Sequence, residues 1–154
     1  MKEHTIEQIS KMKFVGWRET VSLPKFKLKE LRAKIDTGAK TSALHADKIE
    51  YISVNGIPYV RFLFIDDEGE NIYVKAPLLE ERTIKSSNGD KTIRPVVQTE
   101  IKMGSERFMI EVTLINRDMM GFKMLIGREA LNGRFLINPA KHNMLKTSKK
   151  EKTQ

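Results

Sequence analysis

A chain of 154 residues, 40% of them apolar, has the length of one domain that can bury its own core. It contains no cysteine, which excludes a disulfide framework, a thiol nucleophile and cysteine-ligated zinc, and fits a reducing cytoplasm. The formal charge of +8 favours acidic partners, although a basic surface with no dedicated partner weighs as much as those partners together.

Aromatic residues make up only 7% of the chain and do not form a base-stacking motif, so nucleic acid is disfavoured as a partner. The first thirteen residues are polar and charged, unlike a signal peptide, and read as a flexible lead. No stretch approaches the ~20 apolar residues of a membrane span, so no membrane role is expected.

From Phe14 to Leu23 the chain is rich in strand formers, and it stops at Pro24. Lys25 to Glu30 is a basic connector. Leu31, Ala33 and Ile35 then alternate as a half-buried strand that runs into Asp36-Thr37-Gly38. Gly38 can take positive φ and break the strand, which leaves Asp36 on a rigid support with an open face. Asp-Thr-Gly alone is a weak signal, because Asp and Gly are ordinary turn formers.

Residues 43–47 read equally as a strand or a helical turn. Ile49 to Val54 and Tyr59 to Ile65 are strands around an Asn55-Gly56 hairpin turn. Asn71 to Ala76 returns after an acidic turn at residues 66–69. Leu78 to Ile84 leads to a polar hairpin tip at Ser86-Ser87-Asn88-Gly89. Ile93 to Ile101 is a strand in which Pro95 marks an edge or a bulge.

Arg107 to Ile115 is a further strand. The apolar run Met119 to Ile126 ends in Gly127-Arg128, followed by a helical turn closed by Gly133 and a last strand, Phe135 to Pro139. The lysine-rich end from Lys141 reads as a disordered tail. The whole is an all-β domain, closed or folded over, with one short helix near the C-terminus.

Two motifs belong together. Asp36-Thr37-Gly38-Ala39, with Leu125-Ile126-Gly127-Arg128 and a short helix downstream, resembles the retropepsin-like aspartic proteases. Within that clan, Ala33 to Ala46, Arg94-Pro95-Val96, Met124 to Leu131 and Phe135 to Pro139 are similar to a bacterial and archaeal family often labelled ATP-dependent zinc protease. That family is linked with ATP-grasp ligases that attach glutamates to protein tails. The resemblance spans residues 14 to about 140.

It implies a retropepsin-like barrel between the lead of residues 1–13 and the tail of residues 141–154. It implies a flap from Arg82 to Arg94 whose tip, Ser86, Ser87, Asn88 and Gly89, lies over the substrate. Asp36 would be the acid/base, with Thr37 bracing it and Gly38 lining the substrate. Ala39, Lys40, Leu125 and Ile126 would form substrate walls, and Gly127 and Arg128 a supporting turn. A single Asp-Thr-Gly requires two copies of the chain, so that Asp36 shares a proton with its twin. The implied partners are a second copy, an acidic or glutamylated peptide and an ATP-grasp ligase.

Lys40 either points away from the catalytic acid or binds an acidic group on the substrate, with the first slightly favoured. A zinc enzyme is the weaker reading. His4, His45 and His142 form no His-Glu-x-x-His pattern, and His45 suits a structural hydrogen bond near the active loop better than a site with Asp36 and His142. No metal or other cofactor is therefore expected. The alternative to a peptidase is a non-catalytic module of the same fold that docks to a ligase or an acidic peptide.

Overall fold

The structure, a computed structural model, describes residues 3–86 and 88–145. Helix α1 (Ile6–Ser10) opens the chain with a reciprocal cap. The Thr5 hydroxyl accepts from the Gln8 backbone N–H, and the Gln8 side chain accepts from the Thr5 N–H. The stretch from Phe14 to Leu23 forms two strands, because the chain turns at Gly16-Trp17. These are β1 (Lys13–Val15) and β2 (Arg18–Leu23). The expected lead therefore already contains a capped helix and the first residue of β1.

The basic connector is shorter than expected. A 3-10 turn, Pro24–Phe26, gives way to β3 (Leu28–Ile35). Buried positions in β3 step from Leu28 to Leu31 and only then alternate. Glu30 takes a left-handed conformation at φ 53°, and the register with β2 shifts there, so one extra residue resets which face is inward.

The ambiguous residues after Ser42 are a strand, β4 (Ser42–His45). Strands β5 (Asp47–Val54), β6 (Ile57–Ile65) and β7 (Asn71–Pro77) form a separate three-stranded antiparallel sheet. Asn55 and Gly56 both have positive φ at the first hairpin, as their tight turn demands. The inner face of β6 buries Val60, Phe62 and Phe64 against the barrel, and Phe62 meets Phe26 edge-to-face at 6.0 Å.

Next come β8 (Glu80–Lys85), β9 (Lys91–Met103), β10 (Glu106–Ile115) and β11 (Met124–Ile126). Helix α2 (Arg128–Leu131) and β12 (Phe135–Ile137) follow. Strand β9 pairs with β8 along its first half and with β10 from Val96 onward. Pro95 sits at that junction.

The ring β10–β4–β11–β3–β2–β9 closes when β9 pairs back onto β10, giving a six-stranded barrel with β8 attached outside it. Leu23, Leu28, Leu44, Ile101, Met103, Leu114, Met124 and Ile126 fill its interior. The all-β barrel with a short helix near the C-terminus is therefore present, with α1 added. Among the described residues, no helix is long and apolar enough to cross a membrane.

Residues 141–145, expected to belong to a disordered tail, are held against the barrel. The buried Glu19 carboxylate accepts backbone N–H bonds from Gly16 (2.7 Å), Met144 (2.8 Å) and Leu145 (3.0 Å), which straps residues 141–145 onto β2. A Cβ on Gly16 would fall 2.1 Å from the Lys141 carbonyl oxygen, so only glycine lets the two backbones approach. The rest of the lysine-rich end lies outside the described residues.

Candidate active site

Strands β3 and β11 are parallel neighbours, and β4 flanks β11 on its other side. β3 and β11 therefore end at the same edge of the barrel. The loop from β3 to β4, residues 36–41, must cross over the end of β11. The Asp36 N–H donates to the Ile126 carbonyl at 2.9 Å, the Arg128 N–H to the Ala39 carbonyl at 2.8 Å and the Glu129 N–H to the Lys40 carbonyl at 3.1 Å. The Ser42 hydroxyl accepts the Gly127 N–H at 3.1 Å.

Gly127 is the pinch point. A Cβ there would lie 2.8 Å from the Thr41 carbonyl carbon and 2.9 Å from the Lys40 oxygen, both of them backbone atoms. The two motifs, far apart in sequence, thus form one clamp.

The Asp36 carboxylate is half-buried at the rim of this clamp. Its Oδ1 accepts the Gly38 N–H at 3.0 Å. Gly38 does not take positive φ, contrary to the sequence expectation. A Cβ at this position would come 3.2 Å from Asp36 Oδ1, so its glycine serves close approach to the carboxylate rather than a left-handed bend. Arg128 Nη1 donates to the Thr37 carbonyl at 2.9 Å, which pins the turn from outside.

The β8–β9 hairpin, which the resemblance would make the flap, faces the loop across a cleft. Its tip is a closed turn. The Ser86 N–H donates to the Asp90 carbonyl at 2.8 Å, and the Ser86 hydroxyl bonds the Asn88 side chain. The cleft between loop and hairpin has a volume of about 680 Å³. Asp36, Gly38, Ala39, Lys40, Leu125 and Ser86 line it. Asn88 and Gly89 are exposed at the tip, and Ser87 lies outside the described residues. Ile126 is not a wall of the cleft. Its side chain is fully buried in the barrel, because β11 alternates and turns Leu125 outward instead.

Several cleft residues were given no binding or catalytic role from the sequence. Arg82, at the flap base, pairs with Glu111 at 2.9 Å and Glu80 at 3.1 Å. Its Nη1 also reaches the Thr41 hydroxyl at 3.4 Å, which in turn reaches Glu129. The Glu80 hydrogen bond raises the pKa of Arg82 against the opposing effect of burial, with Glu111 adding to the rise. This network ties the flap to the Asp36 loop. Arg94 and Arg117 line the same cleft. Only their positions on separate strands and loops reveal this, since neither stands near Asp36 in sequence.

His45 Nδ1 bonds the Arg117 carbonyl at 2.9 Å, and Nε2 lies 3.7 Å from Asp47. It thus holds the loop that carries Arg117. Among the described residues, no three His, Asp or Glu side chains gather as metal ligands.

A family model described as retropepsin-like aspartic endopeptidase RimB matches residues 14–148. The chain belongs to the RimB-like family. A Legionella pneumophila crystal structure of a protein of unknown function superposes on this RimB-like chain with a TM-score of 0.75 at 32% identity. The match covers 87% of this chain and 98% of that one.

Curated relatives named "Probable alpha-L-glutamate ligase" are also similar. The Desulfotalea psychrophila protein is 39% identical over 83% of this chain. The Parasynechococcus marenigrum protein is 38% identical over 81%. The RimB-like chain spans only 28% of the length of either relative.

Proposed function

We propose that this chain is a cytoplasmic aspartic peptidase whose catalytic pair forms when two copies bring their Asp36 carboxylates together. The observation that carries the reading is the placement of Asp36. A carboxylate braced by a backbone N–H stands at the floor of a peptide-sized cleft, under a hairpin, on a loop clamped by Gly127.

Two carboxylates within hydrogen-bond reach cannot both ionise easily, so they hold one proton between them. The ionised member takes a proton from water as the oxygen attacks the peptide carbonyl carbon. The protonated member hydrogen-bonds the carbonyl oxygen, and a proton then passes to the departing amine. Thr37 would brace this pair across the two-fold axis. Beside Thr37, an apolar groove lined by Ile9, Met12, Leu131 and Leu136 continues the same edge and suits burial against a second copy.

Two features support an acidic or glutamylated substrate. Among the described residues, Lys40, Arg82, Lys85, Arg94, Arg117 and Arg128 line the cleft against Asp36, Glu111 and Glu129. Relatives that carry a similar segment are named glutamate ligases. Those names also favour a second reading, a docking module for an ATP-grasp ligase. Asp36→Asn distinguishes the two. It should lower peptide cleavage by roughly 10²–10⁴-fold, measured by mass spectrometry of acidic peptides, if Asp36 is the acid/base. Ligase binding should survive the change, and cleavage that also survives it refutes the peptidase reading.

A further inference from the structure

Arg94 presents an unusual combination. It is only 7% exposed, yet it lines the cleft wall. Among the described residues its one hydrogen bond runs from Nε to the Thr92 hydroxyl at 2.9 Å, and no carboxylate pairs with it. A guanidinium stays charged in proteins, and a buried charge without a counter-ion is costly. Arg117 lines the same wall, also without an ion-pair partner among the described residues. Burial first, then the Arg117 charge, lowers the pKa of Arg94. Arg82 differs, since Glu80 and Glu111 already satisfy it. Two cations in one cleft, neither ion-paired with a carboxylate among the described residues, constitute a seat for an anion supplied from outside.

We propose that Arg94 and Arg117 form a carboxylate-binding subsite of the cleft that determines specificity by seating an acidic group of a bound peptide. The subsite rests on the peptide-cleft reading above and deepens it, but it does not require catalysis. The carboxylate has two possible sources on such a peptide, a glutamate side chain or the free C-terminus. Thr92 holds Arg94 at Nε, and His45 holds the Arg117 backbone, which anchors both residues at the cleft.

The test is fluorescence anisotropy with the full-length Asp36→Asn chain and labelled peptides ending in a tetraglutamate or a tetraglutamine, each with a free or an amidated C-terminus. The tetraglutamate peptide should bind about tenfold or more tightly than its glutamine counterpart, or the free terminus more tightly than the amidated one, according to which carboxylate is read. Arg117→Gln, a change at an exposed side chain, should remove about tenfold of that preference and leave binding of the uncharged peptide unchanged. Arg94→Lys should do the same, because an ammonium lacks the two-pronged geometry. Equal binding of all four peptides overturns the subsite, as does a preference that both variants retain. The peptidase reading fails separately, if the wild-type chain cuts none of these peptides while the preference persists.

Discussion

Gly38 lies within the Asp36 loop and Gly127 packs against that loop's backbone, and the two are needed for different reasons. At Gly127 the atoms that a Cβ would strike are the backbone of residues 39–41, held by their own hydrogen bonds. Gly127→Ala should cost about 1–3 kcal/mol in denaturant unfolding, as overpacking against rigid atoms does. At Gly38 the nearest atom is the Asp36 carboxylate oxygen, the end of a side chain that can turn aside. Gly38→Ala should therefore leave the unfolding midpoint nearly unchanged and reduce cleavage. An alanine at 38 that destabilises as much as one at 127 would show that the clamp is misassigned.

Among elements, the strap over β2 connects residues 141–145 to the strand that leads into Asp36. Glu19 accepts three backbone donors in the barrel wall, and the turn it holds at Gly16-Trp17 supplies the Trp17 carbonyl to the Ile35 N–H at 2.9 Å. Ile35 is the residue before Asp36. Glu19→Gln replaces one accepting oxygen by a donating NH₂ that faces N–H groups. The expected loss is about 2–3 kcal/mol, read as a melting temperature lower by roughly 5–10 °C. Hydrogen exchange should quicken at Met144 and Leu145 first. A further tie runs from the three-stranded sheet to the flap strand, where the Tyr51 hydroxyl donates to Glu81 at 3.1 Å. Burial, and then Glu81, raises the pKa of that phenol above 10.0.

For the whole molecule, the decisive question is stoichiometry. If the proposed Asp36 pair carries the reaction, peptide turnover per chain should fall on dilution, in step with dissociation seen by sedimentation velocity. Turnover per chain that stays constant down to a sedimenting monomer removes the shared-proton mechanism. If the substrate is acidic, as proposed, the cationic lining of the cleft makes added salt a second control, since screening weakens charge attraction at exposed sites.

The sequence alone determined what depends on neighbours along the chain. Alternating apolar residues marked the strands, Asn55-Gly56 set a tight hairpin, and a polar run between two strand-like stretches marked a second hairpin tip. The paired motifs around Asp36 and Gly127 identified the clan through their order and spacing. Only the tertiary structure placed β11 between β3 and β4, and with it the Asp36 loop over Gly127. It also turned Ile126 into the core, made Gly38 a matter of close approach and drew residues 141–145 onto Glu19. Arg94 and Arg117 became a pair in the same way. Periodicity reports which face of a strand is buried but not which strand lies beside it, and a charge acquires a partner, or lacks one, only across such neighbours.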